Sequence, residues 1–162
     1  MNMKNFFKRL GQLILVIVVL IAIAYPFRRD PIAIIPGKQL SGEEKAYPAD
    51  WTFTNDHMLV KVESRPEDPY SVTTLCFLID GKLHIPAQKG STKQWPQHVL
   101  ADSRVRIKVG DTIYPAKATL VSKDAVEMIM EHAMVKLAAM GREKPAAEDL
   151  PKDVWLFEIS QR

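Results

Sequence analysis

The dipeptide Asp80-Gly81 dictates a sharp reversal of chain direction. It separates two runs rich in β-branched and apolar residues, 71–79 and 82–87, and a tight turn between antiparallel strands needs the positive φ angles that Asp-Gly tolerates. We therefore predict a β-hairpin at this point. Through residue 109 the chain continues as a polar loop, a short helix and a further strand, so the hairpin belongs to a strand-rich region.

Two more strands are predicted before the hairpin, at residues 51–54 and 57–63. In the second of them apolar and polar side chains alternate, which indicates one buried and one solvated face. Residues 71–79 contain no charged side chain and are predicted to form a central strand. Pro86 has no N–H group to donate, so the return strand of the hairpin should end there or lie at an edge.

The second half of the chain continues the alternation of strands and helices. Pro96 suits the first turn of a helix, which we predict to run to Ala101. Alternating residues predict strands at 104–109 and 112–121, joined at Gly110-Asp111. A second helix at 125–140, a charged linker at 142–151 and a closing strand at 154–159 complete the prediction.

The helix predicted at 125–140 starts with a capping-box pattern, Asp124 followed by Glu127, and ends before Gly141. We interpret its four methionines as core or interface residues rather than as a metal site. Six of these seven strand segments, together with the two helices, predict a small, mostly antiparallel closed sheet with the helices packed outside, because closure removes exposed strand edges.

Residues 1–27 are predicted to be a membrane anchor with one transmembrane helix. Residues 13–25 read LILVIVVLIAIAY, and with their flanks they reach about the length that spans a bilayer core. Two alternatives remain: a cleaved signal peptide, for which Ala22-Ile23-Ala24 resembles a cleavage site, and a buried core helix. Basic residues are more numerous before the segment than after it, so we predict a cytoplasmic N-terminus and a domain on the outer, periplasmic or extracellular, side.

Residues 28–50 are predicted to be an extended proline-rich linker that lifts the domain from the membrane, and residues 51–162 to be the domain itself. Removing the three basic residues up to Arg9 from the total of 22 leaves 19, which equals the 19 acidic residues. A neutral domain argues against a nucleic-acid binder. Cys76 is the single cysteine, so no intramolecular disulfide can form.

Basic side chains are concentrated between Lys82 and Lys117, where seven lysines and arginines accompany only two aspartates. Within this region, the loop Lys89-Gly90-Ser91-Thr92-Lys93 has the composition of a phosphate-binding loop. The glycine permits close backbone approach, the hydroxyls can donate, and the following helix offers free N–H groups. The alternative is a solvated loop of ordinary composition.

Other side chains are candidate ligand contacts. Arg65 can clamp a phosphate or carboxylate bidentately, or pair with a nearby acidic residue. Ser71 and Thr73 can direct hydroxyl groups at the edge of a planar ring. Trp95 can stack on a ligand, although a tryptophan at a helix start also serves as a core residue. A haem or metal site built on His84 and His98 is not favoured, because there is no cysteine partner and no ligand spacing.

Two segments, DPYSVTTLCFLIDGKLHIPA at 68–87 and KQWPQHVLADSRVRIKVGDTIYPAKATLV at 93–121, resemble the flavin split-barrel group, which includes pyridoxamine 5′-phosphate oxidase-like proteins and deazaflavin-dependent nitroreductases. The upstream IPGKQLSG and ESRPEDPYSV resemble a membrane-anchored branch of that group. The resemblance covers residues 51–122. Two departures are visible: the closely spaced arginine and lysine of the oxidases are missing before the hairpin, and His98 stands where the nitroreductase-like pattern usually has asparagine.

The resemblance implies a six-stranded antiparallel split β-barrel, a homodimer, and FMN or deazaflavin as cofactor. The cofactor contacts that it implies are Arg65, Ser71, Thr73, Lys89, Ser91, Thr92, Lys93, Trp95 and His98. No catalytic residue is assigned.

The sequence lacks the common dinucleotide, P-loop, redox-cysteine, zinc-protease and nucleophile-elbow motifs. Flavin chemistry requires none of them, because the cofactor carries the redox step while the protein positions it. Two functions therefore stay open. One is a membrane-anchored flavin- or deazaflavin-dependent oxidoreductase that reduces a small, quinone-like acceptor. The other is a non-catalytic, membrane-tethered ligand-binding or assembly module on the same barrel.

Overall fold

The computed structural model describes residues 3–24, 29–57, 59–139, 141 and 152–162. Within them the elements follow in the order α1 (Met3–Ala24), β1 (Glu43–Glu44), β2 (Leu59–Ser64), β3 (Tyr70–Leu75), β4 (Phe77–Ile79), β5 (Lys82–Gln88), α2 (Gln94–Ala101), β6 (Arg104–Val109), β7 (Thr112–Ser122), α3 (Val126–Ala139) and β8 (Val154–Ser160). The linker predicted at 142–151, Met58 in the strand predicted at 57–63, and Met140 at the end of the helix predicted at 125–140 lie outside the described residues.

The strands form one mainly antiparallel sheet that closes on itself. Hydrogen bonding runs in the order β3-β2-β6-β7-β8-β5-β4, and β3 and β4 are two halves of one segment, separated only by the buried Cys76. The eight strands therefore correspond to the predicted six. The two extra ones arise from the break at Cys76 and from β1, a two-residue strand that pairs in parallel with β7.

The alternating side chains fill the barrel interior. Val60, Val62, Val105 and Ile107 are almost completely buried, and they belong to one cluster with residues of β5 and β8. Helix α2 adds to this cluster through Trp95, whose ring centroid lies 5.0 Å from that of Phe157. Burial of this apolar surface is the main force that stabilises such a fold.

The strand predicted at residues 51–54 is wrong, because Thr52–Asp56 forms a 3₁₀ turn. Asp50 accepts hydrogen bonds from the N–H and the hydroxyl of Thr52, and the hydroxyl of Thr54 donates to the Trp51 carbonyl at 2.7 Å. Such local side-chain bonds offer the backbone an alternative to a strand ladder. The indole of Trp51 packs instead in an aromatic cluster with Tyr47, Phe53 and Tyr114.

The helices agree with the prediction within two residues at their ends. Helix α2 begins at Gln94 rather than Pro96, and α3 ends at Ala139. The predicted anchor corresponds to α1. Among the helices of the described residues, none has both the length and the apolar character needed to cross a membrane.

Residues 29–50, which we call the connector, lie against the outer face of the barrel instead of leading away from it. Gly37 and Ser71 exchange two backbone hydrogen bonds of 2.8 and 3.1 Å. Leu40 is buried, and its N–H donates to Glu63 at 2.5 Å. The described part of the predicted linker is therefore fastened to the domain, while the domain boundary at residue 51 stays a prediction.

Candidate functional site

A groove of about 520 Å³ opens where β3 and β5 part. The ladder between the two arms of the hairpin runs only from Phe77↔His84 to Ile79↔Lys82. Beyond it, the hydroxyl of Thr74 donates to the Pro86 carbonyl at 3.2 Å and bridges the gap. In an extended strand the N–H and the C=O of one residue point to the same side, and the Pro86 carbonyl points toward β3. Pro86 has no N–H to donate on that side, so it cannot form a ladder hydrogen bond with β3. Pro86 therefore contributes to the gap between β3 and β5 by removing one possible ladder hydrogen bond.

Four parts of the chain line the groove. Connector residues 33–36 form one wall, residues 72–75 of β3 and 86–88 of β5 form the floor and the opposite wall, and the start of α2 contributes Lys93 and Trp95. The volume falls within the range of small-molecule pockets, which are mostly apolar with a few placed polar groups. The geometry therefore suits a small organic ligand.

The polar groups of the groove indicate what that ligand can be. Lys93 is exposed and contributes the basic side chain of the lining, while Thr73 and Thr74 contribute hydroxyl groups. Trp95 is buried, and its contact with Phe157 fixes the orientation of the indole. A planar, partly apolar molecule with an anionic group beside Lys93 matches this arrangement.

The loop at residues 89–93 is organised by Asp153, which the sequence did not indicate. The N–H and the hydroxyl of Ser91 both donate to the Asp153 carboxylate, at 3.1 and 2.5 Å. The Lys89 N–H donates to the Asp153 carbonyl at 2.6 Å. The hydroxyl of Thr92 donates to the Lys89 carbonyl at 3.2 Å. Ser91 and Thr92, predicted to contact a phosphate, thus make internal bonds, and an internal carboxylate already occupies the donors of Ser91.

Gly90 allows this loop to pack closely on the barrel. A Cβ atom at this position would lie 2.7 Å from Cβ of Trp155 and closer still to its indole ring. The close approach brings the loop against β8, just before Lys93 and the start of α2 at Gln94. The glycine was predicted to admit a ligand, whereas the structure uses the space for Trp155.

The structure brings together three of the predicted contacts, Thr73, Lys93 and Trp95, in the groove. Arg65 instead pairs with Asp68 at 2.8 Å, which is one of the alternatives left open by the sequence. Ser71 is buried beside Gly37, and its hydroxyl has no hydrogen-bond partner among the described residues. Neither of these two side chains lines the groove. Their predicted contact with a cofactor stays a prediction.

His98 lies beside the turn that joins β2 to β3 and is not part of the groove lining. Its Nδ1 lies 3.2 Å from the hydroxyl of Ser64, and its ring meets that of Tyr70 edge-on at 5.2 Å. Burial, together with the positive charge of Arg65, lowers the pKa of His98, and Asp68 only partly opposes the shift. The lowered pKa favours the neutral form of His98.

This environment predicts a pH dependence of stability. The unfolded chain protonates its histidine near pH 6.5, before the folded protein does, so the free energy of unfolding contributed by His98 is present above about pH 6.5 and is lost as the pH falls toward the lowered pKa. Urea unfolding should show a smaller loss of stability between about pH 7.5 and 5.5 in His98→Asn than in the parent protein. An unchanged pH dependence would show that His98 is not the titrating group.

A second cavity, of about 300 Å³, lies on the outer face of β2 and β6 and is lined by charged residues. Arg106 pairs with Glu63 at 3.1 Å and with Glu44 at 3.2 Å, and Arg104 pairs with Asp102 at 2.6 Å. The alternation of basic residues along β6 was visible in the sequence, but their acidic partners were not. Arg104 and Arg106 are thus paired with internal carboxylates, and Arg162, which also lines this cavity, donates to the carbonyls of Ala116 and Val105. Because all three arginines already have internal acceptors, we take the groove as the better candidate site.

No protein-family model matches the sequence, and no curated protein matches it. Solved structures with a similar chain path include a candidate pyridoxamine 5′-phosphate oxidase from Listeria innocua, with 20% identity, 65% of this chain and 84% of that chain covered, and a TM-score of 0.47. An FMN-binding protein related to pyridoxamine 5′-phosphate oxidase, from Nostoc punctiforme, has 13% identity, coverage of 71% and 82%, and a TM-score of 0.41. An F420-H2 dependent reductase has 18% identity, coverage of 63% and 95%, and a TM-score of 0.41.

Proposed function

We propose that the groove between β3 and β5 binds FMN or a deazaflavin and that the protein is an oxidoreductase for a small acceptor. The observation that carries this proposal is the convergence of Thr73, Lys93 and Trp95 on one groove, although they come from separate elements. The resemblance of residues 51–122 to the flavin split-barrel group supports the same cofactor class. The groove supplies what an isoalloxazine and its anionic tail need: apolar walls, hydroxyl groups and one cation.

A bound flavin or deazaflavin would supply the redox chemistry, so the chain needs only to hold and orient it. Lys93 would pair with the anionic tail through a charge-assisted hydrogen bond. Thr73 and Thr74 would orient the ring edge, and the walls at residues 33–36 and 86–88 would exclude water from one ring face. We also propose a homodimer, in which a second copy would cover part of the groove. Sedimentation of the purified protein as a monomer would contradict the dimer.

Membrane attachment through α1 is a further part of the proposal. The described side chains of α1 include a long series of leucines, isoleucines and valines that are exposed to about half of their area. Exposed apolar surface of this extent needs a partner. The basic residues before the segment favour the outer side for the barrel, and a membrane location would suit a quinone-like acceptor. Flotation of the full chain with vesicles, and protease access to the barrel, test the attachment and the orientation.

A pair of lysines provides a matched test of the cofactor site. Both Lys89 and Lys93 are exposed and lie in the same loop, but only Lys93 lines the groove. We expect Lys93→Ala to raise the Kd of FMN or a deazaflavin about tenfold, the equivalent of about 1.4 kcal/mol, while Lys89→Ala leaves it unchanged. Flavin fluorescence titration of the full chain in detergent measures both.

The outcome of this titration distinguishes the two functions. Equal loss of affinity in both lysine variants would point to a general charge effect and against the groove. Absence of any flavin or deazaflavin binding by the folded protein would favour the non-catalytic module. That second function is favoured by one observation: the hydroxyl and the N–H of Ser91 are already bonded to Asp153, which leaves the loop less free to hold a phosphate.

A further inference from the structure

Near its start the connector carries an exposed apolar turn. Ile32 and Ile35 exchange two backbone hydrogen bonds, of 3.1 and 2.8 Å, across a tight turn. Ala33 adopts a φ of +50° in this turn. The three isoleucines are exposed, Ile32 to 63%, Ile34 to 97% and Ile35 to 42%. We call residues 32–35 the isoleucine turn.

The base of this turn is fastened to the barrel by hydrogen bonds and ion pairs. The Lys38 N–H donates to the Arg29 carbonyl at 2.7 Å and closes the base of the turn. On one side Gly37 is bonded to β3, and on the other Asp30 forms ion pairs with Lys61 and Lys108 at 2.8 and 2.6 Å. A Cβ atom on Gly37 would collide with the backbone of Asp30 and Pro31, so the two arms are packed against each other.

The surroundings of the turn indicate what covers it. Eight positions separate Ile32 from Ala24, the end of the apolar helix α1, and this length of chain reaches at most about 28 Å. The side chains of Arg29 and Lys38, at the base of the turn, are both exposed. An apolar tip with a basic base complements a membrane surface, where acyl chains lie beneath anionic headgroups.

We propose that the isoleucine turn inserts into the lipid surface and acts as a second membrane contact beside α1. This inference rests on the membrane attachment proposed above. It also defines how the barrel is oriented on the membrane, because residues 33–36 form a wall of the groove. With the turn in the lipid interface, the groove opens next to the acyl chains, and the acceptor class becomes a lipid-soluble molecule that enters from the bilayer.

Labels at single positions of the full chain test this contact. We would attach an environment-sensitive fluorophore at Ile34→Cys, at Val16→Cys in α1, and at Thr119→Cys, which is exposed on β7 of the barrel. The parent protein measures background labelling, which should be low because Cys76 is fully buried. Each labelled protein is reconstituted into vesicles of phosphatidylcholine and phosphatidylglycerol, with and without lipids that carry a quencher in the upper acyl chain.

We expect the labels at Val16→Cys and Ile34→Cys to emit at shorter wavelength and to be quenched by the lipid, and the label at Thr119→Cys to stay water-exposed. Quenching at Val16→Cys without quenching at Ile34→Cys would overturn the inference and leave the attachment standing. Absence of quenching at both positions would overturn both. A label at Ile34→Cys could instead emit at short wavelength in detergent, at protein concentrations where the dimer forms, and show no quenching by lipid. That result would assign the turn to an interface between two copies and would also overturn the inference.

Discussion

Replacement of Asp30 by alanine is expected to lower the free energy of unfolding by about 2 kcal/mol and to release the connector from the barrel. Asp30 Oδ2 contacts the ammonium groups of both Lys61 and Lys108. Lys108 is only 6% exposed, so loss of the carboxylate leaves a buried positive charge without its nearest partner. Because the aspartate keeps about a fifth of its side chain in solvent, the expected cost is below that of a fully buried pair.

The ion pairs of Asp30 also predict how the attachment of the connector to the barrel depends on pH. Burial alone would raise the pKa of Asp30, but hydrogen bonds from Lys108, Lys61 and Ser41 outweigh it and hold that pKa well below its usual range. A depressed pKa contributes stability that is present above about pH 4 and is lost only as the pH falls through the folded value. The difference between the parent protein and Asp30→Ala should therefore be constant from about pH 5 to 8 and shrink in strong acid.

Urea unfolding and limited proteolysis of the connector measure this effect. Asp111→Ala is the matched control, because Asp111 lies 3.8 Å from the same ammonium group but is fully exposed, and its loss should change stability by less than about 0.5 kcal/mol. If both variants unfold at the same urea concentration as the parent, the Asp30 ion pairs do not hold the connector.

Gly90→Val is expected to destabilise the protein by about 3 kcal/mol and to displace the loop at residues 89–93. The new Cβ would overlap the Cβ and the indole ring of Trp155, and these atoms cannot move far because Trp155 belongs to a paired, buried strand. Overpacking of this kind costs about 1–3 kcal/mol, and the branched side chain places valine at the upper end. Since Lys93 is the last residue of this loop, flavin binding in the groove should weaken as well.

Near-ultraviolet circular dichroism and urea unfolding report on this change. Thr92→Val is the matched control, because Thr92 is exposed in the same loop and a substitution there should alter stability by about 0.5 kcal/mol or less. A Gly90→Val protein with the stability and tryptophan signal of the parent would show that the loop does not require the close approach to Trp155.

The parts of the fold that local chemistry determines were predictable. Asp80 and Gly81 have the positive φ angles, +51° and +75°, that the hairpin turn was expected to need. The alternation along β6 placed its strand at the observed bounds. At Trp51, in contrast, a β-favouring composition was overridden by local hydrogen bonds: the Asp50 carboxylate accepts from the Thr52 N–H, and the Thr54 hydroxyl donates to the Trp51 carbonyl. A count of residue types does not include such bonds.

The site was predictable only in part, because its partners lie far apart in the chain. Lys93 and Trp95 were identified from the loop and helix that contain them, and both line the groove. The role of Asp153 could not be inferred, since it bonds to Ser91 across 62 positions of sequence. The same holds for Asp30, which reaches Lys108 across 78 positions. A pattern of charges in the sequence identifies a candidate cation, but only the folded structure shows which carboxylate is already paired with it.

The arrangement of β8 between β7 and β5 affects the way the chain must fold during synthesis. Val154, the start of β8, follows Lys82, the start of β5, by about 70 residues, and a ribosome needs roughly 4–15 s to add them. Until then the ring is open, and the edges of β5 and β7 that later pair with β8 have no partner strand. Unpaired edges of this kind bind other strands, so the nascent chain is exposed to aggregation until β8 has been synthesised.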